Sequence, residues 1–70
     1  MKISDFLPQK DFLRLQQILP GWSYSEEYSE SEIDVLDEIL DNLEQRKGYD
    51  TEDGIFIGNV INRLRTHQSY

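Results

Sequence analysis

Seventy residues with no cysteine and one histidine leave no disulfide framework and no zinc constellation. A chain this short removes only about 60% of its unfolded surface from water, so its core must come from helix packing. Fourteen acids against seven bases give a formal charge of −7, which disfavours direct contact with nucleic acid or anionic lipid.

No apolar run is long enough for a transmembrane span, and Met1 to Asp11 lacks the apolar stretch of a signal peptide. With no cysteine to suggest an oxidising compartment, the expected location is cytoplasmic.

Turn signals at Pro20-Gly21 and Gly48 divide the chain into three pieces. In the first, Pro8 suits an early helical position. Phe12, Leu15 and Leu19, with Leu13 and Ile18, form a helical stripe and predict a helix over 8–19. Ser4 is placed to cap an earlier turn that carries Phe6 and Leu7 toward the same core.

Residues 20–29 have no stripe and read as an ordered loop rich in serine, acid and aromatics. Trp22 suits closing one end of a small core, whereas Tyr24 and Tyr28 are expected to be exposed.

The second helix, over 30–47, carries consistent signals at both ends. Ser29 and Glu32 have capping-box spacing; Arg46 and Lys47 suit the negative helix end, and Gly48 the left-handed cap position. Ile33, Leu36, Ile39, Leu40 and Leu43 form its apolar face, with Val35 at the margin.

A third helix is predicted over 51–67, capped by Asp50 or Thr51, with Phe56, Ile57, Val60, Ile61 and Leu64 on one side. The β-branched run Ile55-Phe56-Ile57 also suits a strand, but the helical spacing continues to Leu64. Gly58 costs an interior helix position about 1 kcal/mol relative to alanine, and close approach of another helix or a partner chain would account for it.

The fold expected is therefore all-α, a compact three-helix bundle of one domain over 1–70 with an acidic central helix. Its core would be Phe12, Leu15, Leu19, Ile33, Leu36, Leu40, Leu43, Phe56, Val60 and Leu64.

Catalytic and metal-binding patterns are absent from the sequence. Asp50 to Gly54 fails the register of a calcium loop, with glycine at position 5 and Ile61 at position 12. Leu64 stands three residues before His67, where a di-iron bundle needs glutamate. No nucleophile elbow or glycine-rich phosphate loop occurs. A non-enzyme without cofactor or metal is expected.

The second helix carries the distinctive feature. Asp34, Asp37, Glu38, Asp41 and Glu44 fall in one sector, placed opposite the apolar face, and no lysine or arginine occurs from Leu15 to Gln45. Like-charge pairs at these spacings cost a helix ~0.2–0.5 kcal/mol each before screening.

Such a row suits docking on a protein with a basic surface, for example a nucleic-acid-binding protein, with helix carboxylates standing in for backbone phosphates. Tyr24, Glu26, Glu27 and Tyr28 of the loop would extend the contact. Small acidic inhibitors of nucleic-acid enzymes, including phage-encoded ones, share this size and charge, a likeness of composition alone.

The competing expectation is a solvated face, or one neutralised by Arg14, Arg63 or Arg65. The protein would then act as a structural or regulatory adaptor or a homodimer through Gly58, Ile55 and Val35. The basic end formed by Arg63, Arg65 and His67 would equally suit the acidic face of a second copy.

Overall fold

The computed structural model describes residues 1–68. Ser69 and Tyr70, the end of the expected 1–70 domain, lie outside the described residues. Three helices are present, α1 Gln9–Ile18, α2 Glu30–Lys47 and α3 Glu52–Gln68, after a short 3₁₀ turn at Ile3–Asp5. The fold is all-α, a small helical bundle.

The predicted ends hold to within a residue. Pro8 is the residue before α1 and not part of it, because its ψ of 150° is extended and its carbonyl accepts the first helical bond from Phe12.

The α2 start is built as its spacing predicts. Ser29 Oγ accepts from the Glu32 amide at 3.2 Å, and Glu32 Oε1 accepts from the Ser29 amide at 3.0 Å. These bonds from the Ser29 amide and hydroxyl hold the Glu32 carboxyl below its ordinary range. At the other end Gly48 takes φ 92° while its amide bonds the Glu44 carbonyl.

Thr51, rather than Asp50, caps α3. Its hydroxyl donates to the Lys47 carbonyl at 2.8 Å, lies 3.0 Å from the Gly48 carbonyl, and accepts from the Gly54 amide at 3.0 Å. One side chain thereby ties the end of α2 to the start of α3.

The tightest backbone approach is at Gly54, not at Gly58. A Cβ on Gly54 would fall 1.7 Å from the Gly48 carbonyl oxygen, whereas one on Gly58 would meet only the Glu44 carboxylate, at 2.5 Å. Farther along, Asp37 pairs with Arg65, and Asp34 and Gln68 border one depression. Residue numbers fall along α2 as they rise along α3, so the two helices are antiparallel in fixed register.

The N-terminal segment wraps across this hairpin. The Asp5 carboxylate, rather than Ser4, satisfies the open turn by accepting from the Lys2 amide at 2.8 Å; Ser4 lies within the turn, and its amide donates to the Tyr24 carbonyl. Met1 and Tyr28 exchange two backbone bonds. Met1 and Lys2 and the turn that follows thus run against the loop and carry Ile3, Phe6 and Leu7 into the core.

That core also holds Phe12, Leu15, Ile33, Leu36, Leu40, Ile57, Val60, Ile61 and Leu64. Leu19, Leu43 and Phe56, expected inside, are only half-buried and pack against the edge of the core, Leu19 and Leu43 beside an open groove.

The loop aromatics correct an expectation. Tyr28 is 7% exposed, its hydroxyl accepts from the Ser23 amide at 2.8 Å, and Trp22 packs on its ring at 5.0 Å. Burial, reinforced by Glu26, pushes the Tyr28 pKa up. Tyr24 is half-buried, with its ring 5.0 Å from Phe12 and its hydroxyl donating to the Leu7 carbonyl at 2.6 Å. Both tyrosines hold the loop to the N-terminal segment.

Two stability predictions follow from these contacts. Gly54→Ala drives a methyl into the Gly48 carbonyl and lowers stability by about 3 kcal/mol, read from the urea midpoint. Gly58→Ala displaces only the flexible end of Glu44, and its midpoint stays level or rises by up to ~1 kcal/mol.

Ser29→Ala removes the cap and lowers stability by ~1 kcal/mol at neutral pH. Because the Glu32 carboxyl is lowered by folding, its contribution is complete above the unfolded carboxylate range and disappears as pH falls through the folded value. The melting-temperature deficit of Glu32→Ala therefore shrinks on acidification.

Candidate protein-binding face

The α2 acids fan from the edge of the α2/α3 seam, where Asp37 and Glu44 lie, round to the solvent side opposite the buried face, where Glu38 lies. Successive residues advance about 100°, and the buried positions Ile33, Leu36 and Leu40 leave Asp37 and Glu44 at the edge of the α2/α3 seam. Asp37 keeps 20% of its side chain exposed there. Glu44 and Asp41 are half-buried, while Asp34 and Glu38 are exposed.

This placement alters the expected pattern of unpaired charge. Arg65 Nη2 donates to Asp37 Oδ1 at 2.8 Å and Nε donates to Oδ2 at 3.2 Å, a two-point clamp between α3 and α2. Asp37, joined by Asp41 and Glu44, raises the guanidinium pKa. Asp37 is therefore a paired residue.

Of Arg14, Arg63 and Arg65, expected to be able to neutralise the row, Arg65 pairs with it and Arg14 serves elsewhere. It reaches Asp53 at 3.4 Å, and its guanidinium sits 4.6 Å above the Phe56 ring. Asp53 is also 3.5 Å from Lys47. Arg63 is exposed and, with Phe6 and His67, borders a shallow depression on the other side of α3.

Along the flank, Gln45 Nε2 approaches Asp41 Oδ2 at 3.5 Å. Asp34 and Glu38 have no hydrogen bond or ion pair among the described residues. Glu30, not singled out from the sequence, belongs with them. It is exposed, borders the same depression as Asp34, and completes the series 30, 34, 37, 41 and 44. Its four-residue step to Asp34 was the signal; its place in the capping region concealed it. The series spans about 21 Å at ~1.5 Å per residue.

The loop contributes less than expected. Glu27 pairs with the Met1 amine at 3.2 Å, Glu26 faces the Tyr28 hydroxyl, and Tyr24 and Tyr28 are engaged in the fold. Of these four, Glu27 is tied through the Met1 amine to the depression that Glu30 and Asp34 border. Among the described residues no group of three or more His, Asp or Glu is placed to hold a metal ion, and no helix is long and apolar enough to cross a membrane.

Opposite signs are expected for neighbouring acids. Asp37→Asn breaks the clamp and lowers stability by up to ~1 kcal/mol at low salt, whereas Glu38→Gln relieves repulsion from Asp34 and Asp41 and raises it by a few tenths. A double-mutant cycle of Asp37→Asn with Arg65→Gln measures the clamp directly. No protein-family model, curated protein or solved structure matches the chain.

Proposed function

We propose that the chain is a non-catalytic binding protein whose α2 flank docks on the basic surface of another protein and occludes it. The observation that carries this reading is the row Glu30, Asp34, Glu38 and Asp41 along one side of α2. Among the described residues the base that reaches it is Arg65, which is centred on Asp37.

Folding does not require this row. Uncompensated like charges at helical spacing destabilise the helix that carries them, and alternating signs would have removed the cost. Against a basic partner the same charges accelerate encounter and contribute attraction once water is excluded.

A nucleic-acid groove is the partner surface that fits best. Steps of three and four residues space the carboxylates about 5–6 Å apart along a straight line, on a rigid element, as a substitute for backbone phosphates. The Arg65 clamp adds rigidity, since it fixes the flank against α3. The net charge of −7 keeps the chain away from nucleic acid itself.

Capture of binding proteins from the cells that make this chain tests the proposal. The wild-type protein should retain a basic protein that is released as salt rises. The triple variant Asp34→Asn, Glu38→Gln, Asp41→Asn should bind it at least about tenfold more weakly, a loss of ~1.4 kcal/mol or more, while remaining folded. Retention that is indifferent both to salt and to the three substitutions would contradict the proposal.

A further inference from the structure

The side of α2 turned away from α3 carries a second series, Glu32, Val35, Ile39, Asn42 and Arg46, at alternating steps of three and four residues. Val35 is 51% exposed. Ile39 and Leu43 are half-buried and, with Leu19, Asn42 and Arg46, line an apolar groove between the end of α1 and α2. The helix that packs most extensively on α2 is α3, on its other side, and the end of α1 meets this seam through Leu19.

We infer that this seam is the contact between two copies of the chain, packed as an antiparallel α2 pair about a two-fold axis through Ile39. The charges select the occupant. Glu32 lies seven residues before Ile39 and Arg46 seven after it. Antiparallel pairing about Ile39 therefore brings each Glu32 to Arg46 of the second copy, at both ends of the seam.

The apolar positions obey the same symmetry. Val35 stands four residues before Ile39 and Leu43 four after, so Val35 of each copy enters the groove that Leu43 and Leu19 line on the other. A parallel pair would instead set Glu32 on Glu32 and Arg46 on Arg46. A two-fold contact is self-complementary in this way, and a shallow crossing of about 20° keeps both ends within reach of long side chains.

Both charged groups are available. Arg46 is exposed without a hydrogen bond or ion pair among the described residues. Glu32 uses Oε1 for the Ser29 amide, which leaves Oε2 to accept from a guanidinium. The acidic flank lies on a different side of α2 and stays open in the pair, so this inference stands independently of the proposed docking.

Sedimentation equilibrium at rising concentration reads the pairing. The wild-type mass should climb from 8.3 kDa toward twice that value. Val35→Lys, at a position the core does not need, should keep the wild-type circular dichroism and stay monomeric. Arg46→Glu alone and Glu32→Lys alone should each lose self-association, and an equimolar mixture should regain it as a one-to-one pair. A wild-type chain that stays at 8.3 kDa throughout, self-association of Arg46→Glu equal to wild type, or a mixture that does not pair would each overturn the inference.

Discussion

Gly54 packed on the Gly48 carbonyl, with the Thr51 hydroxyl joining Lys47, Gly48 and Gly54, sets the register of the whole hairpin. A methyl at Gly54 cannot be accommodated without moving backbone, so the turn closes in one way. Everything further along α2 and α3 inherits that alignment. Glu44 faces the empty side of Gly58, and Arg65 arrives opposite Asp37 roughly three to three and a half helical turns from the connection. A turn of different length would have put Arg65 elsewhere on the acidic row.

The consequence is a central helix with three separate sides. Ile33, Leu36 and Leu40 are sealed in the core, the acids from Glu30 to Glu44 run from the α3 edge to the solvent side, and Glu32 to Arg46 line the outer seam. Burial secures the first. The second is held by one clamp, with charge in excess of it. The third mixes half-exposed apolar groups with one acid and one base at equal distances from its centre. A helix that served only as a wall of the core would need the first side alone.

Much of the fold was legible in the sequence because its determinants are local. The capping box at Ser29 and Glu32, the glycine after Lys47 and the 3.6-residue spacing of α2 and α3 each involve neighbours within a turn or two. The N-terminal contribution was not legible to the same degree. Ile3 enters the core because residues 1–4 pair with residues 24–28 across the loop, and nothing in Met1 to Leu7 encodes that partner. Tyr24 and Tyr28 looked like exposed aromatics in a polar loop for the same reason, since the groups that bury them come from the other end of the first segment. On the candidate face, the acids were legible as a row. The pairing of Asp37 was not, because it depends on the register between helices and not on spacing within one.

The central claim is that the α2 flank holds more negative charge than the fold compensates. Thermal unfolding of the wild-type chain from low ionic strength up to about 0.15 M salt tests it most directly, because over that range screening relieves repulsion between exposed charges. The melting temperature should rise with salt, and the rise should be largely lost when Asp34, Glu38 and Asp41 are neutralised together. A wild-type melting temperature that is flat or falls over the same range would contradict the claim.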